Sequence, residues 1–225
     1  MLSAFIAFSG MVRPTVSYAG WRRLRRRPYC QTEECIIRIP TKTLSSYPIF
    51  LQPFFWNQRR KYGKVLIPGL LWGRVPRLFV AVALLYGVFD RRRSPLDPVL
   101  RSLVTVRVSQ INWCAFCVDI NSATLLDRSG SLAKVDDLDM WEQSDQYTTR
   151  ERLALEYAEA ITYSDRQVSQ ELMDRLTQHF NKDTIIELTG LIAFQNLSSK
   201  FNSALDVAPQ GFCHLDPSKT TKTNS

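Results

Sequence analysis

The sequence predicts an all-α domain. Three observations carry that expectation: apolar residues recur at helical spacing through several long segments, helix-start signals stand at their heads, and no run alternates apolar and polar residues at period two. No internal repeat of roughly 20 to 50 residues is visible.

From the N-terminal side, residues 47–56 crowd prolines and aromatics and read as an extended arm laid on the domain or on a neighbouring subunit. Gln58 to Val65 reads as a short basic helix, and Pro68-Gly69 punctuates the chain before the next segment. Pro76 opens a helix to about Asp90. Asp97-Pro98 starts the next, because Asp caps and Pro suits the first turn, and Leu100, Leu103, Val104, Val108 and Ile111 continue its apolar face. Thr148 and Glu151 stand at capping-box spacing before a helix to about Tyr163. Ser169 caps a helix from Gln170 to Phe180, and Asp183 or Thr184 with Glu187 starts a last one to Leu205. From Pro209 the chain is expected to leave the domain.

A chain of 225 residues, 45% hydrophobic and 22% charged, is long enough for one domain with a full core. Its net charge of +8 looks like a nucleic-acid signal until it is located. Arg13, Arg22, Arg23, Arg25, Arg26 and Arg27 come before any acid, and without them 23 basic residues face 21 acidic ones. The body is nearly neutral, so no nucleic-acid partner is expected. The basic start reads as a solvated tail, although an organellar transit peptide or a mis-assigned start has the same composition. Its apolar stretch precedes its positive charges, the reverse of a secretory signal. The uncharged stretch from Leu78 to Phe89 is well short of the roughly 20 residues a bilayer helix needs, so no membrane span is expected. A reducing compartment, the cytoplasm, is the expected location, and five cysteines, which leave one unpaired in any full pairing, are not a disulfide scaffold.

The chemistry concentrates at Cys114-Ala-Phe-Cys117, because two thiols three residues apart on a helix can close a reversible disulfide. A zinc site would need two more ligands, and neither a second Cys-x-x-Cys nor a histidine pair exists: His179 and His214 are far away and wrongly spaced. No metal or cofactor is expected. A pair of small apolar thiols in a packing face is the plain structural alternative.

The flanking run Arg107-Val-Ser-Gln-Ile-Asn-Trp-Cys-Ala-Phe-Cys117 resembles the alkylhydroperoxidase D (AhpD-like) and carboxymuconolactone decarboxylase superfamily. Arg107, Val108, Ser109, Gln110, Ile111, Asn112, Cys114 and Cys117 match its motif. The resemblance continues through residues 151–160 and 187–205 and covers about residues 50 to 212. It implies an AhpD-like helical domain over 33–212, between a basic segment 1–32 and a polar tail 213–225, with residues 111–113 joining a helix to the thiol-bearing one. It also implies a homo-oligomer, a trimer or hexamer, and a peroxidase that uses Cys114 and Cys117 on a peroxide or other small substrate, or on a thiol/disulfide protein partner.

Two positions depart from the peroxidase branch, which places a Glu twelve residues before the first cysteine and a His four after the second as a proton relay. Here Ser102 and Asn121 stand there, and neither can act as a general base near neutral pH. Asn121 shares a helical face with both cysteines and can orient a thiol or substrate, whereas Asp119 lies roughly 140° from Cys114 and is expected to cap, to pair with an Arg or to face a neighbouring subunit. If Cys114 opens its helix, the helix dipole favours its thiolate, although in the peroxidase branch the residue matching Cys117 is the one peroxide attacks. Cys213, beside His214, is a candidate resolving thiol or a plain tail cysteine. Three readings stay open: a thiol-dependent peroxidase or disulfide oxidoreductase, a decarboxylase acting on a lactone acid, and a redox-sensing or oligomeric binding protein that has lost the base.

Overall fold

The computed structural model describes residues 37–213, and every regular element among them is helical. These described residues form nine α-helices: α1 (Gln52–Tyr62), α2 (Ile67–Gly73), α3 (Pro76–Phe89), α4 (Pro98–Ile111), α5 (Ala115–Ser129), α6 (Leu132–Asp136), α7 (Thr149–Thr162), α8 (Gln170–His179) and α9 (Lys182–Ala204). No helix among the described residues is long and apolar enough to cross a membrane. The basic segment expected at 1–32 and the tail beyond Cys213, His214 included, lie outside the described residues.

The start signals act as capping chemistry dictates. Asp97 accepts from Val99 N and Leu100 N at the head of α4. Thr148 and Glu151 close a reciprocal capping box on α7, and Ser169 accepts from Leu172 N on α8. The last helix begins two residues before Thr184, because Asn181 caps it by accepting from Thr184 N.

The aromatic arm is not extended. Residues 44–46 and 49–51 form 3₁₀ turns, and α1 begins at Gln52 because Pro53 fits its first turn, so the short basic helix expected from Gln58 is the second half of a longer one. Tyr47, Leu51 and Phe55 sink into a cluster with Trp72, Phe79, Val82 and Phe194. Pro68-Gly69 opens a helix instead of breaking one, since α2 takes both within its first turns.

Helix α4 is the axis of the domain and packs against α5, α7 and α9. Leu100, Val104 and Val108 join Leu153, Ala154 and Tyr157 of α7 with Leu188 and Ile192 of α9. Leu103 and Val106 belong to a second cluster with Leu125 of α5, Val135, Leu138 and Trp141. A helix apolar on several sides is a buried one. Its one strong polar anchor is Arg107, whose guanidinium meets Glu159 of α7 at 2.6 Å, while Trp141 Nε1 and Arg166 Nη1 donate to the same carboxylate at 2.9 and 2.8 Å. Burial alone would raise the Glu159 pKa, but Arg107 and these hydrogen bonds outweigh it and hold the carboxyl below its ordinary value.

Candidate functional site

The thiol pair is built at the α4–α5 junction. Asn112 ends α4 and Trp113 turns through φ 55, a left-handed conformation that a bulky residue rarely adopts. That turn lets Cys114 N donate back to Ser109 O at 3.1 Å and makes Cys114 the N-cap of α5. The Asn112 amide stitches the turn to α9, donating to Asn196 Oδ1 at 2.8 Å and Ser199 Oγ at 2.9 Å.

Cys114 and Cys117 are joined as a disulfide with Cα atoms 5.2 Å apart. Each sulfur receives an N–H: Cys114 Sγ accepts from Cys117 N at 3.2 Å, and Cys117 Sγ accepts from Asn202 Nδ2 of α9 at 3.2 Å. Both donors lower the cost of negative charge on sulfur, and Cys114 also sits at the positive end of α5. The sulfurs are not open to solvent; Cys114 is 1% and Cys117 3% exposed. Leu71, Phe116 and Val207 complete their apolar cluster, with Leu66, Phe201 and Phe212 packed against it.

Asn121 is turned to the α4 side, where its Nδ2 donates to Ser109 Oγ at 3.2 Å. Ser109, fully buried, also accepts from Gln195 Nε2 at 2.9 Å and donates to Thr105 O. Ser102 donates to Pro98 O and accepts from Arg128 Nη1 at 3.1 Å, and Arg128 pairs with Asp90 at 2.7 Å. Ser102 and Asn121 therefore do not touch each other, but both line one cavity of about 460 Å³ between α1, α2, α3, α4, α5 and α9. Phe116, the chain neighbour of Cys117, lines it too, with Ile120 and Thr124, so the cavity runs along the thiol-bearing helix, although neither cysteine lines it.

Among the described residues Asp119 neither caps its own helix nor pairs with an Arg; it holds the chain beyond the last helix. Its Oδ2 accepts from Gln210 N at 2.9 Å and Gly211 N at 2.7 Å, and its Oδ1 from Phe212 N at 2.9 Å and Cys213 N at 2.8 Å. Four amides can converge because Gly211 adopts φ 73, where a side chain is disfavoured. Instead of leaving the domain, residues 207–213 form a strap across α5. Lys64 Nζ donates to Gln210 O at 2.8 Å, Ile67 N donates to Gln210 Oε1 at 3.0 Å, and the Phe212 ring meets Tyr62 and Phe116 edge-on. Cys213 is the last described residue of that strap, half-buried.

Asn202 and the strap are what sequence reasoning missed. Asn202 is 85 positions from Cys117 and carries no spacing signal, and four amide contacts to one Asp leave no mark in residue type beyond Gly211.

Known proteins resemble this chain in sequence and in fold. The sequence profile of the carboxymuconolactone decarboxylase family matches residues 78–160, which run from α3 through α7. The chain is 47% identical over 172 residues to the uncharacterized protein YnjA of Escherichia coli strain K12, spanning 76% of this chain and 94% of that protein. Among solved structures it resembles a peroxidase-related protein with an alkylhydroperoxidase AhpD core from Ralstonia eutropha JMP134, with a TM-score of 0.72, 21% identity, and 78% and 93% of the two chains covered. It also resembles the debrominase Bmp8, with a TM-score of 0.68, 24% identity, and 76% and 91% covered. By its all-α architecture, its Cys114–Cys117 pair and this relationship, the chain belongs to the AhpD-like/carboxymuconolactone decarboxylase superfamily.

Proposed function

We propose that the protein is a thiol-dependent oxidoreductase of the alkylhydroperoxidase D type, in which Cys114 and Cys117 cycle between dithiol and disulfide. The observation that carries this reading is the disulfide at the start of α5 with an N–H directed at each sulfur. In the peroxide direction one thiolate attacks the outer oxygen of the hydroperoxide, the O–O bond breaks, and an alcohol leaves. The second thiol then attacks the sulfenic sulfur and releases water. A partner dithiol or a small dithiol restores the pair by exchange and is itself oxidised. Such cycling suits a reducing compartment such as the cytoplasm, and Cys213 is the candidate to relay the disulfide outward.

Proton transfer is the slow part of this cycle. Ser102 and Asn121 do not titrate near neutral pH, and the four acceptor positions of Asp119 are filled by backbone amides. That arrangement also favours a second reading, a redox sensor that forms the disulfide without turnover. The test measures the midpoint potential of the pair and peroxide consumption under a dithiol reductant. Turnover supports the enzyme, a reversible disulfide without turnover supports the sensor, and thiols that never pair sink both. Assembly as a trimer or hexamer is part of the proposal, because α3 exposes Leu78, Leu84, Leu85 and Val88 together. A monomer by light scattering at micromolar concentration overturns that part.

A further inference from the structure

We propose that the cavity along the thiol-bearing helix binds an amphiphilic monoanion, a single carboxylate on an apolar body, with Arg101 as its counter-ion. This goes beyond the thiol chemistry and does not need it. The cavity, about 460 Å³, is of small-molecule size. Trp72, Phe79, Leu191 and Phe194 give it buried apolar walls, and its rim at Asn57 and Lys61 is exposed.

Arg101 lines the same cavity and is 6% exposed. Its Nη1 donates to Phe89 O at 2.5 Å and Arg91 O at 3.3 Å, whereas its Nε is buried with no hydrogen-bond partner. A guanidinium carries five N–H donors, so two carbonyls on one nitrogen leave most of its capacity unused.

The surrounding charges do not balance. The groups facing Arg101 are Arg128, Arg91, Asp90 and Glu187. Asp90 is engaged by Arg128 and Glu187 by Arg91, so three guanidiniums stand against two carboxylates. Arg101 has no salt bridge among the described residues. Burial and then the neighbouring Arg128 pull its pKa below the ordinary guanidinium value, which marks the charge as poorly accommodated by the protein alone. A buried charge without a partner is destabilising, and one added negative charge restores neutrality. Around Arg101 the excess is a single charge and the walls are apolar, while Lys61 stands apart at the exposed rim, so a monoanion with a hydrophobic body fits the buried end of the cavity.

The test is calorimetric titration of the full chain with decanoate and, in parallel, with uncharged 1-decanol. Wild type is expected to bind decanoate roughly tenfold or more tighter than decanol, the size of one charge-assisted hydrogen bond. Arg101→Gln should bring the two affinities together while leaving decanol binding unchanged. Gly87→Trp places a side chain at the mouth of the cavity, where a Cβ meets nothing within 4 Å, and should abolish binding of both. Equal affinity for the two probes, no binding of either, or binding that survives Gly87→Trp overturns the proposal, and the wild-type comparison stands even if Arg101→Gln does not fold. The same result in Cys114→Ser/Cys117→Ser protein separates this site from the fate of the thiol reading.

Discussion

Replacing Asp119 by Ala removes the carboxylate that holds residues 210–213 against α5, and with it four N–H···O bonds of 2.7 to 2.9 Å. A hydrogen bond to a charged group contributes about 1.5 to 3 kcal/mol, but four donors sharing one carboxylate do not add independently. The strap also keeps its contacts through Gln210, Lys64 and the Phe212 ring. Taking a loss of about 3 kcal/mol, the worth of one or two such bonds, the open fraction of the strap rises by about two orders of magnitude. Both sulfurs are buried in the closed form, so a reductant reaches them through the open one. If closing is faster than reduction, the rate follows the open population, and reduction of the Cys114–Cys117 disulfide by dithiothreitol should accelerate by about a hundredfold. Trapping the released thiols with an alkylating agent and following the mass shift measures that rate. Hydrogen exchange at the amides of residues 210–213 reports opening itself, and Asp119→Asn, which keeps one acceptor oxygen, should fall between. Fast exchange with an unchanged reduction rate would refute the strap as the barrier to the disulfide. Unchanged exchange would refute the clamp.

Three further outcomes are expected. Glu159→Gln leaves Arg107 without its buried partner and should destabilise the fold by about 3 to 5 kcal/mol in denaturant titrations at neutral pH. Because the folded Glu159 pKa lies below its ordinary value of 4.5, this contribution is complete above that value; the gap between wild type and variant should narrow as pH falls through the lower folded pKa, and a gap that widens in acid contradicts the assignment. Restoring a relay with Ser102→Glu and Asn121→His, both facing the cavity, should raise peroxide turnover by up to about 10² to 10⁴-fold, with Cys114→Ser and Cys117→Ser each abolishing it; a fast wild type indifferent to the restoration means another base acts. A chain beginning at Thr32 should keep its helical signal and Tm, since the removed residues carry most of the excess charge and lie outside the resemblance; a large loss of Tm shows that the removed segment is part of the folded unit.

Local chemistry was legible in the sequence wherever the partner is a near neighbour. Asp97, Thr148 with Glu151, and Ser169 cap helices because the amides they satisfy lie two or three residues on, and the apolar spacing from Val99 to Ile111 marks a helix for the same short-range reason. The resemblance carried by Arg107 to Cys117 named the superfamily, and the structure supplies a physical role for its letters: Arg107 engages Glu159, Ser109 receives Asn121 and Gln195, and Asn112 anchors the turn to α9. Proline misled where it is ambiguous. At Pro53 and Pro68 the same fixed φ that suits an extended arm or a break also suits a first helical turn, and the apolar contacts of Phe55 and Leu71 favour the helix. What only the tertiary structure decided are relations between residues far apart in the chain: Asn202 on Cys117, the strap on Asp119, and Arg101 left without a carboxylate beside an apolar cavity. None has a periodicity or spacing to betray it, because each depends on how separate helices are brought together by burying apolar surface, and that placement determines which polar groups find a partner and which do not.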